Sequence, residues 1–197
     1  IKIISKFKSI SESILQDMDE KEVMKEFKME EILKIISDLN DSKNLEKTNY
    51  QNIEISNLIE MKDSNIFTIG AHSYNHPILA NESDAVSESE IRDSKIALEK
   101  ILGDEVKYFA YPNGIPNLDY SNREVSYCAK SNYELAFTCE ISDFSRNNPK
   151  FEIPRLEISS GGQFLIAVKI LIYKLIKNRL MNQKMLKDRK IIRSIIN

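Results

Sequence analysis

Between residues 66 and 158 the sequence alternates β-type and α-type segments, and this alternation constrains the fold more than any other feature. Short β-branched and aromatic runs predict strands near 66–70 (IFTIG), 107–111 (KYFAY), 135–139 (LAFTC) and 153–158 (IPRLEI). Two helical patterns lie between them. "SESEIRDSKIALEKILG" (87–103) carries Ser87 and Glu90 as a capping box, Leu98, Ile101 and Leu102 as a buried stripe, and Gly103 as a stop. "SNREVSYCAKSN" (121–132) predicts a helix capped by Ser121 or Asn122. Strands separated by helices pair in parallel beneath those helices, so the expected class is α/β.

The flanks differ in character. Residues 9–38 have helical spacing and predict one helix, followed by a polar loop around 40–52. "EISNLIEMKDSN" (54–65) fits a short helix with Ile55, Leu58 and Ile59 on one side. The end of the chain is a basic helical tail, with nine Lys/Arg against one Asp over residues 164–197. Its apolar start, 164–176, is expected to pack on the core; the basic remainder offers contact with an anionic membrane surface. The expected organisation is therefore a helical, polar segment 1–54, a core 55–163 and a C-terminal amphipathic basic helix 164–197.

Composition sets outer limits. A hydrophobic fraction of 42% sustains a packed core, and a net charge of −2 argues against nucleic acid as a partner. No apolar run is long enough to cross a bilayer. Cys128 and Cys139 have no metal-type spacing; two buried thiols are expected, with a disulfide as the alternative. The first residue is Ile1 rather than Met, which leads us to expect a start inside a longer protein.

The chain has only two histidines, and both lie in "FTIGAHSYNHPILA" (67–80), directly after a predicted strand. Imidazole is the commonest nitrogen ligand for zinc and related ions, and His72 and His76 on one compact loop can converge on a single ion. A zinc-protease reading needs Glu after the first His, where this chain has Ser73. Spacing alone leaves open whether the pair are ligands or ordinary hydrogen-bonding residues.

"IGAHSYNHPIL" resembles the second motif of the polysaccharide deacetylases, the NodB-homology domain of carbohydrate esterase family four. "KYFAYPNG" is similar to the third motif of one branch of that family, and "ELAFTC" and "FEIPRLEI" resemble its later strands, in the same order. The resemblance covers roughly residues 55–160. It implies an incomplete, distorted (β/α) barrel in which His72 and His76 ligate a divalent metal, most often zinc. It also implies that the backbone N–H of Asn113 faces an oxyanion, with Tyr111, Pro112 and Gly114 forming the substrate-side turn. Arg155 would face the site, stabilising an oxyanion or a carboxylate. The implied reaction is metal-assisted hydrolysis of an N-acetyl or O-acetyl group on a polysaccharide, and the implied location is the cell envelope or the cytoplasmic face of a prokaryotic membrane.

The sequence also departs from that pattern. The family's first motif, a strand ending in Asp-Asp-Gly that supplies the general base and the third ligand, has no counterpart, because the chain contains no Asp-Asp pair. A fragment that lacks the catalytic Asp is the reading adopted, and this chain alone is expected to be inactive. A non-catalytic carbohydrate-binding or regulatory homologue of the same fold is the alternative. Asp63 and Asp119 are the residues to examine for a base should the chain alone prove active.

Overall fold

The structure, a computed structural model, describes residues 4–5, 8–16, 18–43, 52–140, 147–155, 162, 164–168 and 179–196. In chain order the elements are α1 (Glu12–Leu15), α2 (Glu20–Met24), α3 (Met29–Lys43), α4 (Ile55–Asp63), α5 (Asp84–Leu102), β1 (Tyr108–Ala110), α6 (Asn122–Lys130), β2 (Leu135–Phe137) and α7 (Arg179–Ile196). A short 3-10 turn, Leu79–Asn81, precedes α5.

Strands β1 and β2 pair in parallel, with Tyr108 opposite Leu135, Phe109 opposite Ala136 and Ala110 opposite Phe137. Single parallel bridges extend the pairing on both sides, Ala71 to Phe109 and Phe137 to Ile153. Four extended segments thus lie side by side in chain order, the arrangement expected when helices cross between parallel strands. The predicted strands at 107–111 and 135–139 are present but shorter. At 66–70 no ladder forms: only Ala71 pairs, through Ala71 N–H to the Tyr108 carbonyl and Ala110 N–H to the Ala71 carbonyl. Ile66 and Phe67 stay exposed, and among the described residues this segment has a bridged neighbour on one side only. At 153–158 the structure shows the bridge at Ile153, and residues 156–158 lie outside the described residues.

The two faces of the sheet are unequal. Phe109 and Ala136 are buried in a core with Leu79, Ile91, Val106 and Cys128. On the opposite face Tyr108, Ala110, Leu135 and Phe137 are only half-buried and line an open apolar groove of about 480 Å³. Parallel sheets are normally covered on both faces.

The helices depart from expectation in instructive ways. The single helix predicted over 9–38 is three. Asp19 interrupts it by capping α2, its carboxylate accepting from the N–H groups of Lys21 and Glu22, and a turn at 25–28 separates α2 from α3. Helix α5 starts one turn earlier than predicted, capped by Ser83, so Ser87 and Glu90 are not a capping box but lie inside the helix, buried. Of the predicted stripe, Leu102 is buried and Leu98 half-buried, but Ile101 is exposed. In α4 only Leu58 meets the core; Ile55 and Ile59 face solvent. Ser121 does cap α6, in a full capping box with Glu124. The cysteines are both free; Cys128 is buried as expected, whereas Cys139 is exposed.

The described parts of the tail depart from the expected roles. Phe164 and Leu165, at its apolar start, are exposed, and residues 169–178 lie outside the described residues. The basic end packs instead. Ile192 and Ile196 of α7 join Ile4, Leu15, Val23, Phe27 and Ile35 in a second core. The segments divided at the sequence level as 1–54 and 164–197 therefore share one hydrophobic cluster. Arg189, wholly buried, donates to Glu26 and to Asp119, and Arg193 also pairs with Glu26. Two cations proposed for a membrane surface are thus engaged inside the protein. Among the described residues no helix is long and apolar enough to cross a membrane.

Candidate functional site

The residues singled out by sequence gather where the parallel segments end. Ala71, Ala110, Phe137 and Ile153 are the last bridged positions of their segments. His72 follows the first, Tyr111–Gly114 the second, Thr138 and Cys139 the third, and Arg155 lies just beyond the fourth. The C-terminal ends of parallel strands are where barrel-type proteins build their sites.

The histidines lie together. Their ring centroids are 4.8 Å apart at an interplanar angle of 71°. His72 Nδ1 lies 2.7 Å from the Ala110 carbonyl. A carbonyl only accepts, so this contact requires the Nδ1–H tautomer and leaves the Nε2 lone pair free. The ring is solvent-accessible and lines the apolar groove. Partial desolvation pushes its pKa below the usual histidine value; charge on His76 and Arg155 pushes the same way, against the Ala110 hydrogen bond. The neutral imidazole is the form that binds a metal.

The loop holding them is conformationally costly. Ser73 and His76 both have φ of 60°, a left-handed conformation that costs about 1–2 kcal/mol for each non-glycine residue. Three contacts offset this cost. The Ser73 hydroxyl accepts from His76 N–H at 3.0 Å. Pro77 and Ile78, directly after the pair, are buried. Glu90 of α5, nearly buried, accepts from Tyr74 N–H, Asn75 N–H and Asn75 Nδ2 at 2.9, 2.7 and 2.7 Å.

The turn after β1 is tightly specified. Asn113 (φ 55°) and Gly114 (φ 80°) are both left-handed. A Cβ on Gly114 would sit 2.9 Å from Cys139 N and 3.0 Å from the Tyr111 carbonyl, so only glycine fits. Cys139 N–H donates to the Gly114 carbonyl at 2.7 Å, tying this turn to the end of β2. Pro112 is buried and Asn113 half-buried. The Tyr111 side chain is fully buried: its ring stacks on Tyr120 at 3.8 Å and its hydroxyl donates to the Phe151 carbonyl. Any substrate contact at Tyr111 is confined to its backbone. Arg155 donates from Nε to the Thr138 carbonyl and from Nη2 to Cys139 Sγ, both at 2.8 Å. Its guanidinium thus lies beside the Gly114 turn and close enough to His72 to affect its titration.

Sequence reasoning missed Glu90 and Cys139. Glu90 had been given to a cap. The signal that could have found it is the run Ser87, Glu90, Ser94 at helical spacing on the face that also carries Ile91, a polar stripe where an amphipathic helix should be apolar. Asp119 is excluded as a free base, since it is wholly buried and bound to Arg189 and to Ile115 N–H. Asp63 stands on exposed α4 beside Lys62.

Fold and loop together define the class: an α/β protein of parallel strands with ligand-type side chains at the strand ends. The family model for polysaccharide deacetylases matches residues 17–134, well over half the sequence, and the chain belongs to that family. The solved structure of Streptococcus pyogenes deacetylase PplD in complex with acetate is similar at 29% identity and a TM-score of 0.51, over 56% of this chain and 46% of that one. The structure of IcaB from Ammonifex degensii is similar in fold, at 16% identity and a TM-score of 0.51, over 66% of this chain and 55% of that one. The chain thus spans about half the length of these solved relatives. No curated protein matches the sequence.

The residues present fit part of a metal site. Two imidazoles lie together, one with its tautomer fixed by a second hydrogen bond, as metal-binding histidines usually are. Among the described residues no group of three or more His, Cys, Asp or Glu could hold an ion.

Proposed function

We propose that this chain carries the histidine and oxyanion half of a metal-dependent hydrolase that removes acetyl groups from N-acetylated or O-acetylated sugars of a cell-envelope polysaccharide. The observation that carries the reading is the junction at Ala110. Its carbonyl fixes the His72 tautomer at 2.7 Å, and its strand runs directly into the Pro112–Asn113–Gly114 turn. Ligand and oxyanion donor are therefore set by one strand end.

His72 and His76 would hold a divalent ion, zinc by the chemistry of the donors. When bound, that ion supplies Lewis acidity and lowers the pKa of water. The chain's own residues supply an oxyanion donor and a cation beside it. The Asn113 N–H, at the head of a turn closed by Gly114, offers a preorganised donor to the developing oxyanion. Arg155, anchored on the Thr138 carbonyl, keeps a positive charge at the same rim. The apolar groove beside His72 and the bridged edge at Ala71 are the places where further barrel wall belongs. The general base and third ligand come from an Asp-Asp pair that these 197 residues lack.

The test is acetate release from an N-acetylated glucosamine oligomer, with and without chelator. The 197-residue chain is expected to release none. A longer protein that supplies the Asp pair is expected to release acetate, to stop on chelation, and to lose most turnover on His72→Ala. Turnover in that protein that survives both chelation and His72→Ala would falsify the metal reading. Absence of turnover in every extended form would favour a non-catalytic carbohydrate-binding homologue.

A further inference from the structure

We infer that Glu90 is a positioning residue: its carboxylate holds the loop of residues 72–76 in the one conformation that brings both imidazoles together. The part of this inference that concerns metal affinity rests on the proposed function; the tether itself does not.

The argument starts from the loop's conformation. Two non-glycine residues, Ser73 and His76, are left-handed, and Tyr74, Asn75 and His76 between and beside them are exposed. An exposed loop with such a backbone needs an external restraint to stay populated. Glu90 supplies it from a different element. One carboxylate oxygen accepts both successive N–H groups, of Tyr74 and Asn75, and the other accepts the Asn75 side-chain amide. The acceptor is itself only 7% exposed and stands on α5, whose Ile91 is fully buried in the core. Charge-assisted bonds of this kind are stronger than neutral ones. With both N–H groups fixed, the chain has little freedom between His72, anchored on Ala110, and Pro77, anchored in the core. The 4.8 Å ring separation follows from those three anchors.

The two histidines are the only ones in the chain, so imidazole NMR signals report on this loop alone. The experiment compares wild type, Glu90→Ala, Glu90→Gln and a control, Lys95→Met. Lys95 stands on the same helix and donates to the Asn132 carbonyl without touching the loop. The readouts are ring nitrogen shifts, which give the tautomer, and zinc titration of the same signals. Wild type is expected to show His72 as the Nδ1–H tautomer. Glu90→Ala should average the tautomers and weaken zinc about 10-fold or more, the scale usual for outer-shell partners. Glu90→Gln should recover most of both, because its amide oxygen still accepts the two backbone N–H groups while Asn75 turns its amide. Lys95→Met should match wild type in both readouts.

Spectra of Glu90→Ala that overlay those of wild type would overturn the inference. So would a Lys95→Met variant that disturbs the histidines as much as Glu90→Ala does, since the effect would then be general loosening. A wild-type chain with the fixed tautomer but no zinc response at millimolar metal would overturn the metal part and count against the proposed function, while leaving the tether standing.

Discussion

The two cores of the molecule are assembled on different principles. The sheet core joins residues within 71–151, and its polar ties bind neighbouring elements: Glu90 to the histidine loop, Glu124 to Ser87 and Ser121, Cys139 to Gly114. The helical core joins Ile4 to Ile35 with Ile192 and Ile196, so the two ends of the chain must meet before it exists. Its main polar tie is one buried cation, Arg189, between Glu26 and Asp119. The site-bearing half is thus held by ties between neighbouring elements, and the helical core depends on a long-range ion network.

The largest expected effect breaks that network. Arg189→Met leaves Asp119 without its cation and Glu26 with Arg193 alone. Removing one partner of a buried pair strands the other's charge, which costs about 3–5 kcal/mol. Burial already raises the Asp119 pKa, although Arg189 and the Ile115 N–H oppose it. In the variant that carboxyl takes up a proton more readily still, so the loss should shrink at acid pH. Denaturant unfolding read by helix content should show the loss, while the histidine signals of the folded protein stay in place. Collapse of the tautomer signal together with the helices, under conditions where the sheet core remains folded, would show that the two cores are not separable in this way.

What the sequence revealed follows the same division. The order of segments, the Ser121 cap and the Pro112–Gly114 turn rest on contacts a few residues apart, and all were legible. That His72 and His76 share one loop was legible from their four-residue spacing; the conformation that brings their rings to 4.8 Å was not. The carboxylate that holds the loop was not, because Ser83 and Ser87 are both good caps one turn apart. Only packing decides between them, and choosing Ser83 frees Glu90 to reach Asn75. The packing of the tail's basic end was missed for a similar reason. An apolar start and a basic end suggest burial followed by solvation, and nothing local says that Arg189 will find Glu26 and Asp119. The strand at 66–70 was overread because alternation gives propensity, whereas a ladder also needs partners.

A medium effect sharpens the comparison from the sheet side. Glu124 is wholly buried, and burial alone would raise its pKa. Hydrogen bonds from Ser87, Ser121 and Arg123 outweigh burial and hold it below the ordinary 4.5. A carboxyl with a lowered folded pKa binds fewer protons in the folded state than in the unfolded state. Its stabilisation is therefore complete above the unfolded value and is lost as pH falls through the folded one. Glu124→Gln should be less stable than wild type at pH 7, and the gap should close as pH drops below about 4.5. Denaturation midpoints of the two proteins across pH 3–7 measure this. A gap that stays constant with pH would mean that Glu124 stabilises by packing rather than by charge.

The smallest expected effect tests how much of the surface is truly open. Ile101 and Leu102 are adjacent on α5 and were expected to share a buried stripe. Leu102 is 7% exposed and belongs to the sheet core, whereas Ile101 is 36% exposed. Truncating a buried leucine to alanine costs about 2–5 kcal/mol, through lost transfer energy and the cavity left behind. Replacing Ile101 by lysine gives up part of its contact area, but the lysine stem can cover the same apolar surface with its charge in water, and lysine has the better helix propensity. Ile101→Lys should therefore change stability by less than about 0.5 kcal/mol in either direction, as surface substitutions do. The contrast with Leu102→Ala, read by chemical denaturation of the 197-residue chain, should be several-fold. The same pair measured in a longer protein carries the sharper information. An Ile101→Lys cost that rises there to the Leu102 scale would mean that added polypeptide covers this flank of α5, and that the apolar stripe read from the sequence belongs to the larger fold.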